Sequence, residues 1–183
     1  MKIILASKSG VRKNILDNHG IENEVIVSNV DEDEVKESLL AEGANPSNIS
    51  KNLAEIKSIK VSIKNPDRLV LGADSVISLN GRLINKPNSR KEAFQILKEL
   101  NNSKHFLISS VCVSKNGAMI WNYTDVSELK MKNLTDEELS LYLDKIDTKT
   151  LLAYGVYQIE ADGLELFEYV RGDRDSIMGL PII

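Results

Sequence analysis

Two kinds of side chain in this sequence could handle phosphate. One is a group of hydroxyls and cations, Ser7, Ser9, Arg12 and Lys13, within the run LASKSGVRK. The other is a group of carboxylates, Asp74 and the acidic stretch Asp31, Glu32, Asp33, Glu34. Ser9 stands where a helix N-cap belongs, and a helix N-terminus presents unpaired N–H donors and partial positive charge that suit an anion. Ser7 and Ser9 would add hydroxyl donors there, and Arg12 and Lys13 positive charge. The run lacks the Gly-rich spacing of a P-loop, so alone it reads first as a capped helix with solvated bases.

Asp74 lies just past the apolar run RLVLG at 68–72. An acid there in an α/β protein commonly faces a site, where it could coordinate a divalent cation or act as general base toward water. A turn-forming Asp with local backbone bonds is an equal reading. The acidic run could hold Mg²⁺, which prefers carboxylate oxygen, although most such runs are only solvated. Lys86 precedes Pro87, which favours an extended backbone, and Lys57 falls on the polar side of its helix; a surface position is the commoner outcome for both. His19 and His105 are too distant in sequence for a local zinc motif. A serine hydrolase built on Ser7 or Ser110 with His105 lacks a nucleophile-elbow pattern, and His105 reads as structural.

The elements that must position these residues alternate in type. Residues 2–6 read as a short buried strand, followed by a helix carrying Val11, Ile15 and Asn18 on one face and stopped by Gly20. Residues 24–27 read as a second strand. Asn45-Pro46 supplies an N-cap and first-turn proline for a helix through Ile49, Leu53, Ile56 and Ile63. Residues 68–72 read as a central strand, and Asn80-Gly81 as a hairpin turn. Ser89 and Glu92 have capping-box spacing ahead of a helix to about Leu100. A hairpin spans 106–129 with its turn at 115–117, supported by Val111, Val113, Ile120 and Val126. A second capping box, Thr135 and Glu138, opens another helix, and 164–170 reads as a late strand. The mixture predicts an α/β protein with a mixed, partly antiparallel sheet.

The 183 residues fit one large domain or two joined lobes. A net charge of -4, from 27 acids against 23 bases, argues against a general binder of nucleic-acid polymers. With one cysteine, Cys112, no intramolecular disulfide forms. No run approaches a membrane span, so a cytoplasmic protein with no membrane partner is expected.

Taken in order, further segments resemble the Maf family of nucleoside triphosphate pyrophosphatases. They are LASKSGVR at 5–12, VDE at 30–32, LAEIKS at 53–58, GADSV at 72–76 and NKP at 85–87. SKH at 103–105, YQIEADG at 157–163 and GDRDSIMGLP at 172–181 complete the set. The resemblance implies a single Maf-like domain over 1–183, elongated, with a mixed sheet flanked by helices. Its two lobes would enclose a substrate cleft, similar to inosine triphosphate pyrophosphatases. It further implies cleavage of a nucleotide to its monophosphate and pyrophosphate with Mg²⁺ or Mn²⁺, and it admits a homodimer. Asp74 falls on the family's catalytic acid and Glu32 on an acid that helps with metal or water. Ser7, Ser9, Arg12, Lys57 and Lys86 fall on phosphate-site positions, with Lys13 able to compensate for an arginine replaced here by Val11. Gln158 falls on the family's late glutamine. The run around YQIEADG departs from the dTTP/UTP type toward the 7-methyl-GTP type. Val11 and this run also admit a second reading, a nucleotide-binding regulator linked to cell division that has lost efficient catalysis.

Overall fold

A computed structural model describes residues 2–159 and 162–182. The apolar start forms strand β1 (Ile3–Leu5), and Ser9 caps helix α1 (Gly10–Asn18) by accepting from the Arg12 amide at 3.3 Å. The chain returns in β2 (Asn23–Val25), parallel to β1, with Ile4 opposite Glu24. On its other side β1 pairs in parallel with β3 (Val70–Leu79), Ile4 opposite Val70. This parallel start requires crossovers, and helices α1, α2 (Glu32–Ala41) and α3 (Pro46–Ile63) supply them.

Turns then reverse the chain. Asn80 and Gly81 both take positive φ, 52° and 78°, as a two-residue hairpin turn demands. They join β3 to the antiparallel β4 (Arg82–Ile84). Helix α4 (Arg90–Leu100) follows, then β5 (Lys104–Lys115), a second two-residue turn at Asn116-Gly117 (φ 51° and 78°), and β6 (Ala118–Met131). Helices α5 (Asp136–Asp144) and α6 (Thr148–Tyr154) precede a 3-10 turn (Asp162–Leu166), β7 (Phe167–Arg171) and the one-turn α7 (Arg174–Ile177). β7 is antiparallel to β6. Strand order is β2-β1-β3-β5-β6-β7, with β4 on β3. The mixed α/β class stands as expected.

Four local expectations need correction. Asp74 is not past its strand but within β3, because Ser75 to Leu79 continue in extended form to the Asn80 turn. The acidic run is the start of α2: Asp31 caps it by accepting from the Glu34 amide at 3.1 Å, and Glu32, Asp33 and Glu34 lie in its first turn. Carboxylates are stabilised there by the helix dipole. Residues 162–166 form the 3-10 turn, so the last strand starts at Phe167. Asn18 is exposed while Ile15 and Leu16 are buried, which rotates the inner face of α1.

The chain divides into two compact units. The first holds residues up to Val76, Ile108–Val126 and Asp173 onward; the second holds Ile77–Leu107 and Ser127–Gly172. In the first, Leu5, Ile15, Leu16, Leu71, Ala73, Val111 and Leu180 form one core cluster, and Ile4, Ala6, Val61 and Val70 another. In the second, Leu97, Leu100, Leu129, Met131, Leu139 and Leu151 are fully buried. No helix among the described residues is long and apolar enough to cross a membrane.

His105 belongs to the second core. It is fully buried, its Nε2 is 3.0 Å from the Tyr157 hydroxyl, and Tyr157 packs edge-on against Phe167 at 4.9 Å. Burial pushes its imidazole down to about 4 from 6.5. Between those values the unfolded chain takes up the proton first. Stability is therefore intact above pH 6.5, falls as pH drops toward 4, and loses on the order of 3 kcal/mol from this group. Denaturant midpoints measured across that window should show the loss in the wild type and a flatter profile in His105→Gln.

Candidate functional site

The site in the first unit starts from a glycine. Gly72 sits in β3 where a Cβ would collide with the Ala54 carbonyl and come within 2.8 Å of the Ser58 nitrogen. Backbone of α3 therefore packs directly on the strand, and only small side chains fit along that contact. The buried stripe of α3 is Ile49, Ser50, Leu53, Ala54, Lys57, Ser58, Val61 and Ser62. Its serines are satisfied locally or by neighbouring strands: Ser50 Oγ donates to the Asp74 carbonyl at 3.0 Å, and Ser58 Oγ lies 2.7 Å from Ser114 Oγ.

This stripe overturns the expected placement of Lys57. The lysine is not on the polar face but inside, 5% exposed, because the helix turns Ile63 outward and Ser50, Ser58 and Ser62 inward with it. Lys57 Nζ donates to Asp74 Oδ1 at 2.8 Å and also lies 2.8 Å from Glu32 Oε1. One ammonium thus bridges the two acids singled out from the sequence, one buried and one with its side chain 36% exposed. Asp74 Oδ2 is buried with no hydrogen-bond partner. A buried carboxylate oxygen without a donor is costly, and it is suited to a ligand that brings positive charge or a proton.

Replacing Lys57 tests the bridge. Lys57→Met leaves the two carboxylates adjacent without their shared cation, and should cost about 3 kcal/mol. Added Mg²⁺ or Mn²⁺ should then raise the melting temperature of the variant more than that of the wild type, as followed by thermal unfolding.

Arg12 approaches the same strand and donates to protein acceptors there. Nε donates to the Gly179 carbonyl at 2.8 Å and Nη1 to the Ala73 carbonyl at 3.0 Å. Nη1 also reaches Ser7 Oγ, and Nη2 reaches Ser75 Oγ, each at 3.3 Å. Burial pulls the guanidinium below its usual value, while negative Asp74 and Glu32 pull it back up. Ser7 Oγ further accepts from the Ser9 amide at 3.2 Å, which leaves its own O–H to donate. Lys13 pairs with Asp17 one turn along α1. The structure thus groups Glu32, Lys57 and Asp74 directly, and joins Ser7, Ser9 and Arg12 to the Asp74 strand.

Lys86 and Gln158 belong to the second unit. Lys86 is exposed, and its stem passes Gly155, whose added Cβ would lie 4.0 Å from Lys86 Cγ. Gln158 lines a cavity of about 190 Å³ with Tyr142, Lys145, Asp147 and Thr150. Glu160 and Ala161 of the YQIEADG run lie outside the described residues. Sequence reasoning gave no role to Ser50, Ser75, Ser109 or Gly179, although Ser75 and Gly179 lie within the GADSV and GDRDSIMGLP runs. Single serines carry no spacing signal, whereas Gly72 inside an apolar strand is itself a sign of close backbone approach.

The donor set fits a divalent cation of the Mg²⁺ class. Among the described residues no group of three or more His, Cys, Asp or Glu side chains gathers as a complete cage. Mg²⁺ does not need one, since it binds through one or two carboxylates, waters and substrate phosphates. Asp74 Oδ2 and Glu32 offer that minimal pair.

Comparison with known proteins agrees in extent and in kind. A family model described as Maf-like protein matches residues 2–183. A nucleoside triphosphate pyrophosphatase of Pelagibacter ubique is 60% identical over 181 residues, covering 99% of this chain and 93% of that protein. One of the same name from Caulobacter vibrioides is 40% identical, covering 99% and 90%. A 7-methyl-GTP pyrophosphatase of Brucella abortus is 34% identical over 183 residues, covering 100% and 92%.

Proposed function

The chain belongs to the Maf family, and on that premise we propose that it is a nucleoside triphosphate pyrophosphatase. It would hydrolyse a standard or modified nucleotide to the monophosphate and pyrophosphate, a house-cleaning role in the cytoplasm. The observation that carries this reading is the Asp74 carboxylate, held at Oδ1 by Lys57 and open at a buried Oδ2.

Glu32 and Asp74 would hold a divalent cation, Mg²⁺ or Mn²⁺. When bound, such a cation offsets triphosphate charge and makes water a better nucleophile at neutral pH. The chain's own residues supply position. Lys57 keeps the two carboxylates at one Nζ, so they face a common point despite their like charge. Asp74 Oδ2 accepts a hydrogen bond from the attacking water, since Oδ1 is already occupied. The Ser7 hydroxyl and the N-terminus of α1 offer donors to a phosphate oxygen. In this reading Lys86 and Gln158 are further substrate-binding residues.

A homodimer is part of the same reading, supported by exposed Ile120, Trp121, Tyr123 and Val126 on β6; sedimentation velocity tests it. The function is tested by pyrophosphate release from a panel including 7-methyl-GTP, dTTP and UTP with Mg²⁺ or Mn²⁺. Turnover of one or more members is expected. A folded protein that binds nucleotide without releasing pyrophosphate would overturn the enzyme reading in favour of a regulator.

A further inference from the structure

The C-terminal segment beyond β7 is built around one contact with Arg12. Asp173 caps the turn of α7 by accepting from the Ser176 amide at 2.9 Å. Gly179 then turns the chain at φ +101°, and Leu180 enters the core fully buried beside Leu5 and Ile15. His19 Nε2, at the end of α1, lies 2.6 Å from Asp175. These anchors present the Gly179 carbonyl to Arg12 Nε. A side chain at 179 would adopt a disfavoured φ, and its Cβ would lie 3.3 Å from Ser75 Oγ and 3.6 Å from Arg12 Nε.

Arg12 is therefore held at one end and acts at the other. Its Nη1 grips the Ala73 carbonyl and its Nη2 the Ser75 hydroxyl, the two residues flanking Asp74. Ser75 Oγ is in turn 2.9 Å from Ser109 Oγ on β5, which is buried. Ser50 holds the Asp74 carbonyl from α3. The backbone around Asp74 is thus pinned on both sides, and a planar guanidinium with fixed donors suits that task better than a flexible ammonium.

We infer that Gly179 and Ser109 are positioning residues for the reaction: through Arg12 and Ser75 they fix the strand that aims Asp74. This rests on the pyrophosphatase reading. It differs from simple structural support because it predicts where the kinetic loss appears. Small displacements of a catalytic group lower turnover far more than they lower ligand affinity.

The experiment compares Gly179→Ala, Ser109→Ala and Arg12→Lys with the wild type, on whichever panel nucleotide turns over. The readouts are kcat, KM and the inhibition constant of pyrophosphate with Mg²⁺. All three variants should lose kcat, about tenfold for Gly179→Ala and more for Arg12→Lys, while pyrophosphate inhibition stays within about twofold in Gly179→Ala and Ser109→Ala. The Arg12→Lys/Gly179→Ala double variant should be no slower than Arg12→Lys alone, because both act along one path. Ser109→Ala, a one-atom change, keeps the test open if Gly179→Ala does not fold. A tenfold weaker pyrophosphate inhibition in folded Gly179→Ala and Ser109→Ala, or wild-type kcat in both, would overturn the inference. Exchange of the Arg12 Nε–H, followed by NMR, should be slow in the wild type and faster in Gly179→Ala. That measurement needs no turnover, so an inactive wild type would sink the function while leaving the clamp separately decided.

Discussion

Asp74→Asn is expected to fold like the wild type and to release pyrophosphate roughly 100-fold or more slowly. The substitution preserves shape and keeps an acceptor for Lys57 at 2.8 Å, but it removes the negative charge and replaces one oxygen by an amide donor. If that amide takes the place of Oδ2, it turns a buried acceptor into a donor aimed at the same point. On the proposed function, cation binding and water activation both require an acceptor there, so one change would remove both. Glu32→Gln should be milder, because Glu32 is partly exposed and water can replace its contact. The pair is measured by steady-state pyrophosphate release, with circular dichroism and thermal unfolding to establish the fold. Wild-type rates in Asp74→Asn would remove the residue from the chemistry altogether.

Gly72→Ala should be the most damaging single-methyl change in the first unit. The added carbon meets the Ala54 carbonyl and the Ser58 nitrogen, which are backbone atoms inside a helix and cannot swing aside. Relief requires α3 to lift from β3, at a cost of about 3 kcal/mol. For a chain of this length that is a fall of roughly 6–12 °C in melting temperature. Lifting α3 also draws Lys57 away from Asp74 and Ser50 from the Asp74 carbonyl, since all three sit on the same contact. Activity should therefore fall at temperatures where the variant is still folded. Gly10→Ala is the control: nothing lies within 4 Å of a Cβ there, so stability should change little.

Much of the scaffold was legible because it follows local rules. Ser9, Asn45, Ser89 and Thr135 all cap the helices their spacing suggested, and Asn80-Gly81 and Asn116-Gly117 both make turns. Each depends on a side chain and backbone within a few residues, which a sequence displays directly. Helix α2 was hidden because its acids looked like a solvated run, and it buries no residue that would mark an inner face. The register of α3 was misread for a related reason. Its apolar residues Ile56 and Ile63 drew the stripe away from Ser50, Lys57 and Ser58, which are inward only because Gly72 lets the helix descend onto the strand.

By itself the sequence determined the class of protein and, through the family resemblance, named the acid proposed to react. The ordered run of motifs from LASKSGVR to GDRDSIMGLP marks the family, and Asp74 and Glu32 were identified by type and position within it. What only the tertiary structure decided is which protein groups each cation touches. Lys57, which looked like a surface lysine, bridges Asp74 and Glu32, and Arg12 holds the carbonyls of Ala73 and Gly179. The physical reason is that a charge finds its partner through space. Position 12 lies 61 residues from Ala73 and 167 from Gly179 along the chain, and only the packing of α1, β3 and the C-terminal turn brings those acceptors within 3 Å of one guanidinium.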